Sequence, residues 1–364
     1  MNERDAILVL EDGRAFRGLA YGARGEALGE VVFNTSMTGY QEIVSDPSYC
    51  GQIVTFTAPH IGNTGVNPAD EQAERPALAG VALRAPAERP SSWRARGRLG
   101  DWLAHHGVVA IAGLDTRALT RHLRHRGAMR GGIFAAPDDG ALEPLLARVR
   151  AHPALDGRDL SARVSAPRPY TVGERAAAGR RLALIDFGVK RGIVERLTAR
   201  GFAVEVLPAG VDPHTLLQHG PAGVVLSNGP GDPAAVAAGI ASARALLGRL
   251  PVLGICLGHQ ILALALGGRT FKLPFGHHGG NHPVLDEPSG QVWITAQNHG
   301  FAVDPDSLPA SRVEVTCRSL FDGTCEGLRS RADRVLAVQF HPEACPGPAD
   351  ADAVFDRFVA MLEG

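Results

Sequence analysis

The second half of the chain alternates short apolar runs with helical spacings of apolar residues. The apolar runs are typical of buried strands and fall at residues 182–187, 202–207, 223–227 and 251–255. Helical spacings follow at residues 190–200, 213–219 and 234–250. Further strands are predicted at residues 292–296, 313–318 and 335–340, and an amphipathic helix at residues 350–362. This alternation predicts an α/β domain with an open, mostly parallel sheet flanked by helices.

The first half contains similar patterns without a regular rhythm. Short β-like runs occur at residues 7–10, 31–33, 52–56, 81–83 and 108–111. Helical spacings occur at residues 100–106, 116–126 and 142–151. We therefore expect a mixed α/β domain over residues 1–152. Residues 153–179 are proline-rich and polar, which predicts a linker to a second domain at residues 180–364.

Composition narrows the class of protein. The 364 residues are 45% hydrophobic and carry a formal net charge of −1, so charge gives no case for binding nucleic acid or a membrane surface. A polar N-terminus and no apolar run of ~18 residues favour a cytoplasmic protein. The 5 cysteines include no Cys-x-x-Cys pair, so neither a disulfide framework nor a thiolate zinc site is expected.

The segment Gly254-Ile255-Cys256-Leu257-Gly258 joins a predicted buried strand to an apolar helix. This layout is typical of a nucleophile elbow, in which flanking glycines leave room for a sharp turn. Cys256 would then lie at a helix N-terminus, where the helix dipole favours a thiolate. The backbone N–H of Leu257 would face a developing oxyanion. The alternative is a buried cysteine in an ordinary strand-to-helix turn.

The tripeptide His341-Pro342-Glu343 follows the last predicted strand. A spacing of two places His341 and Glu343 on the same side of an extended segment, at the sheet edge where α/β folds place their sites. The histidine can accept a thiol proton, and the carboxylate can fix its tautomer. Alone, the tripeptide fits a surface histidine equally well. A loop with Gly229 and Gly231 also permits close backbone approach to a ligand, although an ordinary tight loop is the alternative.

Three motifs resemble those of class I glutamine amidotransferases: Ser-Asn-Gly-Pro-Gly-Asp-Pro, Gly-Ile-Cys-Leu-Gly-His-Gln and His-Pro-Glu. The resemblance extends from about residue 180 to the C-terminus. It implies an enzyme with Cys256 as nucleophile and His341 and Glu343 completing a triad. Residues 297–301 also resemble the family's substrate-side loop. The implied L-glutamine-binding residues in this domain are Gly229, Gly231, Leu257, Gln260, Asn298, Gly300 and Phe301.

The first half resembles the small-chain family of carbamoyl-phosphate synthetases. The matching segments are residues 8–13, 29–42, 46–49, 59–63 and 114–121, with 186–191 and 275–283 in the second half. The resemblance implies that Ser48 reaches the glutamine site and that Lys190 lies near it. Phe340 and Cys345 depart from the family pattern.

The same resemblance implies a partner. Ammonia released from glutamine would pass to a large subunit that joins it to bicarbonate, for arginine and pyrimidine biosynthesis. The two subunits would form a heterodimer or a higher oligomer of heterodimers. No phosphate-binding loop is evident in this sequence, so ATP and its metal ion are expected on the partner and no cofactor on this chain.

Other interpretations remain open at this point. His277, His278 and His282 could suggest a metal site, but no carboxylate lies at ligand spacing before Asp286 and none is expected. The chain could serve another synthase, such as those for anthranilate or guanylate, although residues 33–49 argue against it. It could be a non-enzymatic scaffold, which the complete Cys-His-Glu set disfavours. It could be a cysteine α/β-hydrolase, which the order of the histidine and the carboxylate disfavours.

Overall fold

The computed structural model describes residues 5–135, 141–173 and 180–363, which form two compact units. The first unit comprises Met1–Asp156 and Pro274–His278. The second comprises Gly157–Leu273 and Gly279–Gly364. Among the helices of the described residues, none combines the length and apolarity that crossing a bilayer requires.

The strands of the first unit are β1 (Asp5–Leu10), β2 (Ala15–Gly22), β3 (Glu26–Asn34), β4 (Gln52–Phe56), β5 (His60–Ile61), β6 (Gly80–Ala82), β7 (Ala85–Pro86), β8 (Val109–Ala112) and β9 (Met129–Ala135). Its helices are α1 (Tyr40–Ser45), α2 (Leu99–His105), α3 (Thr116–Arg126) and α4 (Leu142–Ala151). A closed barrel has the strand order β1-β2-β8-β6-β4-β3-β9, and β5 pairs with β7. The predicted mixed α/β domain is therefore a barrel with helices.

Apolar side chains from most strands fill the barrel. Its fully buried residues include Leu8, Val31, Ile53, Ile111 and Ile133, which come from five different strands. Strand β9 was not predicted, because its Gly-Gly pair lacks the apolar alternation of a strand. A side chain at Gly131 would place its Cβ only 2.4 Å from Cγ2 of Val31, so glycine permits the close approach of β9 to β3.

The strands of the second unit are β10 (Tyr170–Val172), β11 (Arg181–Asp186), β12 (Ala203–Pro208), β13 (Gly223–Leu226), β14 (Val252–Ile255), β15 (Arg269–Asp286), β16 (Gln291–Asp304), β17 (Glu314–Ser319), β18 (Cys325–Ser330) and β19 (Val335–Val338). Its helices are α5 (Arg191–Ala199), α6 (Pro213–Gln218), α7 (Ala237–Leu246), α8 (Leu257–Ala265) and α9 (Ala353–Glu363). The sheet order is β10-β12-β11-β13-β14-β19-β18-β16-β15-β17.

Strands β12, β11, β13, β14 and β19 form the parallel part of this sheet. Their side chains alternate between two helical layers, as a period of two requires. Ala183 and Ile185 of β11 pack in the core that contains α6, α7 and α8, whereas Leu182 and Leu184 pack in the core that contains α5 and α9. The predicted parallel sheet flanked by helices is confirmed.

Several boundaries differ from the predicted ones. Strands β15 to β18 extend the sheet with antiparallel pairings, a part that the sequence pattern indicated only as isolated strands. The helix predicted at 234–250 is shorter, because a 3-10 turn at Pro233–Ala235 precedes α7 and a left-handed Gly248 follows it. Part of the predicted linker, residues 157–173, belongs to the second unit, where β10 pairs with β12. Residues 174–179 of that linker lie outside the described residues.

One segment of β15 was not expected in the first unit. The backbone N–H of Ala128 donates to the carbonyl of Pro274 at 2.7 Å, and that of Thr35 donates to the carbonyl of His278 at 3.0 Å. The rings of Phe33 and Phe275 stack with centroids 5.8 Å apart. These contacts explain why Pro274–His278 belongs to the first unit although it lies within the second half of the chain.

Replacement of Phe358 on α9 by alanine tests the packing of the second unit. Its ring is fully buried against the sheet, so Phe358→Ala should lower the free energy of unfolding by about 3–5 kcal/mol. Urea denaturation of the full chain, followed by circular dichroism, measures the effect. Phe321→Ala is the matched control, because that ring is 62% exposed and its loss should cost less than about 0.5 kcal/mol. Equal losses for the two variants would contradict the packing described above.

Candidate active site

Cys256 occupies a strained turn between β14 and α8. Its φ and ψ angles are 54° and −103°, a region that residues other than glycine rarely adopt. The turn requires glycine on both sides, because a side chain there would clash with neighbouring atoms. A Cβ at Gly258 would lie 2.1 Å from the carbonyl oxygen of Leu226. A Cβ at Gly254 would lie 2.5 Å from Cδ1 of Leu262. The chain thus forms the geometry of a nucleophile elbow.

His341 and Glu343 lie beside this elbow. Nδ1 of His341 donates to Oε1 of Glu343 at 2.6 Å, and both side chains are buried. The backbone N–H of His341 also donates to the carbonyl of Ala296 in β16 at 2.9 Å, which fixes the segment after β19. Because Glu343 occupies Nδ1, Nε2 is the ring nitrogen left to interact with the thiol of Cys256. The structure therefore brings Cys256, His341 and Glu343 together.

Lys190 is a second partner of the same carboxylate oxygen. Its Nζ donates to Oε1 of Glu343 at 2.8 Å and to the carbonyl of Ala344 at 2.6 Å, with the lysine side chain only 3% exposed. The backbone N–H of Lys190 donates to Oδ1 of Asn228 at 3.1 Å. Glu343 Oε1 thus accepts hydrogen bonds from both Lys190 and His341. The sequence placed Lys190 near the glutamine site, and in the structure its charged partner is the carboxylate beside His341.

The three buried charges determine which groups are ionised. Burial alone would raise the pKa of Glu343, but the charges of Lys190 and His341 outweigh it and lower that pKa to about 2. Burial alone would lower the pKa of His341, but the Glu343 carboxylate outweighs both burial and the opposing Lys190 and raises it to about 10. At neutral pH the imidazole is therefore protonated. An imidazolium beside a thiol favours the thiolate and can deliver a proton to a leaving group.

The loop with Gly229 and Gly231, predicted to approach a ligand closely, packs against the elbow at Gly229. A Cβ at Gly229 would lie 2.2 Å from the carbonyl oxygen of Phe187 and 2.9 Å from Cδ2 of Leu257, the first residue of α8. Gly231, with φ of +98°, instead packs against the backbone of Arg158 and Leu160 and forms an isolated β-bridge with Asp159. Only glycine fits at either position.

The predicted substrate-side loop also lies beside the sulfur. The carbonyl of Asn298 is 3.5 Å from Sγ of Cys256. The carbonyl of Phe301 accepts a hydrogen bond of 2.7 Å from Nε2 of Gln260. An added Cβ at Gly300 would meet no described atom within 4 Å, so the space beside it is open.

Gln339 is a residue of this site that the sequence analysis missed. Its Oε1 accepts from Nε2 of Gln260 at 2.9 Å, and its own Nε2 lies 3.7 Å from Sγ of Cys256. A signal was present, because Gln339, His341 and Glu343 are spaced by two residues. That spacing places alternate side chains of an extended segment on the same side.

Ser48 belongs to the first unit. It lies in the 3-10 turn Pro47–Tyr49, where its backbone N–H donates to Oδ1 of Asp46 at 2.9 Å. Its predicted part in glutamine binding stays a prediction. Phe340 is fully buried in the second unit, edge-on to Trp293 with ring centroids 6.2 Å apart, so this departure from the family pattern is a packing residue. Cys345 is half-buried and has a φ of 53°.

Known protein families match both halves of this chain. The model described as carbamoyl-phosphate synthase small chain, CPSase domain, matches residues 8–133, and the model for class I glutamine amidotransferases matches residues 183–361. A carbamoyl phosphate synthase small chain of Parasynechococcus marenigrum is 52% identical over 99% of this chain and 97% of its own length. The carbamoyl phosphate synthase small chain of a Synechococcus strain is 52% identical over 98% of this chain and 93% of its own length. The one of Syntrophotalea carbinolica is 48% identical over 98% of this chain and 98% of its own length.

Lys190→Met tests the buried charge arrangement. Removing Lys190 leaves His341 as the remaining partner that the structure shows for the buried Glu343 carboxylate, so the free energy of unfolding at pH 7 should fall by about 3–5 kcal/mol. Chemical denaturation measures this fall. Arg269→Met is the control, because it removes an exposed ion pair with Asp304 and should cost at most about 1 kcal/mol.

The sign of the pH dependence follows from the lowered pKa of Glu343. The stabilisation is present above the unfolded-state value of about 4.5 and is lost as the pH falls towards the folded-state value of about 2. The difference in unfolding free energy between wild type and Lys190→Met should therefore narrow from pH 7 to pH 3. A difference that stays constant over this range would show that the carboxylate is not the group concerned.

Proposed function

This chain belongs to the carbamoyl phosphate synthase small-chain family, and we propose that it hydrolyses L-glutamine at Cys256 and supplies the ammonia to a large chain. Its second unit is a class I glutamine amidotransferase domain. The full-length match disfavours service to an anthranilate or guanylate synthase. The observation that carries the proposal is the strained Cys256 beside a His341 whose Nδ1 lies 2.6 Å from Glu343.

The proposed reaction begins with attack of the Cys256 thiolate on the side-chain carboxamide carbon of glutamine. The N–H of Leu257 would donate to the resulting oxyanion, a contact typically contributing about 3–4 kcal/mol. The imidazolium of His341 gives its proton to the departing nitrogen, which leaves as ammonia, and a thioester remains. Neutral His341 then accepts a proton from water as that water attacks the thioester. Glutamate leaves and the thiolate is restored.

Glu343 and Lys190 support these proton transfers without touching the reacting atoms. Glu343 holds the proton-bearing Nδ1 of His341, so that Nε2 stays directed to the sulfur and the leaving group. Lys190 keeps the carboxylate ionised inside the domain. Gln260 uses its Nε2 on Phe301 and Gln339, so its carbonyl oxygen is the atom left to accept from a substrate amide or ammonium.

Membership of the small-chain family implies a large-chain partner. We propose a heterodimer, or an oligomer of heterodimers, in the cytoplasm, with ATP and its metal ion bound by the large chain and no metal or cofactor on this one. Ammonia in neutral water is mostly ammonium, which is not nucleophilic, so transfer between the chains favours a shielded route. In the large chain the ammonia would be joined to bicarbonate to make carbamoyl phosphate, for arginine and pyrimidine synthesis.

Cys256→Ser tests the proposed nucleophile. The variant should bind glutamine but lose at least about a thousandfold in glutamate release, because serine at this position is a far weaker nucleophile than a thiolate. Coupled glutamate assays measure the loss. Cys325→Ser is the matched control, because that thiol is buried against the carbonyl of Gly327 and should leave turnover near the wild-type rate. Unchanged turnover in Cys256→Ser would end the proposal.

The partner is tested by adding a large chain from the same family. Glutaminase activity should rise severalfold when the large chain, ATP and bicarbonate are present together, because each would stabilise the aligned site. Carbamoyl phosphate should form from glutamine, and Cys256→Ser should make it only from added ammonium salts. A chain that neither binds a large chain nor supports carbamoyl phosphate formation would overturn the partner proposal and leave the glutaminase proposal standing.

A further inference from the structure

A row of buried amide groups leads from a backbone carbonyl to the sulfur of Cys256. Nε2 of Gln260 donates to the carbonyl of Phe301 at 2.7 Å and to Oε1 of Gln339 at 2.9 Å. Nε2 of Gln339 then lies 3.7 Å from Sγ of Cys256. Gln339 is fully buried and Gln260 is nearly so, and nothing in the reaction described above uses Gln339.

The direction of this row is fixed by its first member. A backbone carbonyl can only accept hydrogen bonds, so the carbonyl of Phe301 requires the amide nitrogen of Gln260. The same nitrogen can only donate, so Gln339 must turn its carbonyl oxygen towards it. The amide nitrogen of Gln339 is then the group that faces the sulfur. Reversing either glutamine amide would oppose two donors or two acceptors in a dry interior, which is costly.

We propose that Gln339 is a positioning residue of the glutaminase reaction, one that donates a hydrogen bond to the Cys256 thiolate in an orientation imposed by Gln260 and the Phe301 carbonyl. This inference rests on the proposed role of Cys256 as nucleophile. It adds to that role a polar group that acts on the sulfur before glutamine arrives.

The sulfur needs such a donor because its other neighbours favour different protonation states. In the thiol form the sulfur donates to the carbonyl of Asn298 at 3.5 Å, so that carbonyl opposes the anion. His341 has the opposite effect and favours the thiolate, because Glu343 keeps its imidazole protonated. Gln339 is neutral at every accessible pH, so its N–H favours the thiolate even where His341 loses its proton.

Buried titratable groups lie on several elements that pack near the elbow. They are His341 and Glu343 after β19, Lys190 just before α5, His259 on α8, His299 on β16 and Glu326 on β18. Burial lowers the pKa of His259 to about 3, so that imidazole stays neutral across the range of the experiment. Glu326 is bound through one carboxylate oxygen to Nε2 of Gln297 at 2.8 Å. Substitution of Gln339 changes none of these groups.

The test is the pH dependence of alkylation of Cys256 by iodoacetamide in the full chain, read by mass spectrometry of the Cys256 peptide. Gln339→Met keeps the volume but has no donor. It should raise the midpoint of the rate profile by about one pH unit, which lowers the alkylation rate about tenfold at pH values below both midpoints. Gln339→Glu presents a carboxylate to the sulfur and should raise the midpoint further. Gln52→Met is the control: it removes another buried amide, bonded to Glu30 at 3.3 Å in the first unit, and should leave the midpoint unchanged.

A second variant tests the direction of the row with Gln339 intact. Gln260→Glu replaces the donor that holds the Gln339 carbonyl, so the Gln339 amide should turn its nitrogen to the new carboxylate and its oxygen to the sulfur. The midpoint should rise by more than it does when Gln260→Glu is added to Gln339→Met, because the new carboxylate repels the thiolate in both backgrounds and only the difference reports the turned amide. A purely structural role for Gln339 would give equal rises in the two backgrounds. Gln260→Glu also replaces Gln339→Met as the test if circular dichroism shows that Gln339→Met does not fold.

An unchanged midpoint in folded Gln339→Met or, where that variant does not fold, in Gln260→Glu overturns the inference. Alkylation requires no glutamine, so this outcome is separate from failure of the proposed function, which Cys256→Ser decides by glutamate release. A raised midpoint together with an unaltered KM and a lowered kcat for glutamine supports action on the sulfur rather than on substrate binding.

Discussion

The site depends on keeping Glu343 ionised in an interior from which water is excluded. A buried carboxylate takes up a proton unless nearby charges and hydrogen bonds compensate its lost hydration. Here Lys190 and His341 both donate to the same oxygen, at 2.8 Å and 2.6 Å. If that carboxylate became neutral, it would no longer hold His341 as an imidazolium, and the thiol of Cys256 would lose its acidic neighbour. Lys190 is therefore linked to His341 through the carboxylate that both of them contact.

The parallel sheet supplies the geometry that these charges require. Strands β14 and β19 are direct neighbours with Ile255 opposite Val338, so the residues that follow each strand emerge at the same edge. Cys256 follows β14 at once, and His341 follows β19 after two residues. The backbone N–H of Cys256 donates to the carbonyl of Val338 at 2.9 Å, which continues the pairing into the turn. The strained φ of Cys256 is thus held by packing and pairing on both sides, as strained functional residues require.

The sequence predicts local elements well, but it does not predict contacts between residues that lie far apart in the chain. Helices α3 and α4 and strand β4 begin and end where their periodicity predicts, because each depends on a short apolar stripe or run. The triad motifs were also readable, since each sits at a strand end. The ion pair of Lys190 with Glu343 joins residues 153 positions apart, and no local feature specifies it. The assignment of Pro274–His278 to the first unit is equally invisible, because it depends on contacts with Thr35 and Ala128.

Three buried cysteines of the second unit show that surroundings, not residue type, decide reactivity. Burial and the adjacent Asp286 carboxylate raise the pKa of Cys317, whose Sγ lies 3.7 Å from Oδ1 of that aspartate. Burial raises the pKa of Cys325 to about 12, with Glu326 adding to the effect. Both thiols face negative charge or carbonyl oxygen, and both stay protonated. Cys256 is as buried as Cys317 and lies 3.5 Å from the carbonyl oxygen of Asn298, yet it also faces an imidazolium and an amide N–H, and it begins a helix. The imidazolium, the amide N–H and the helix N-terminus each favour negative charge on sulfur, so Cys256 is the one of these three thiols whose contacts fit the proposed nucleophile.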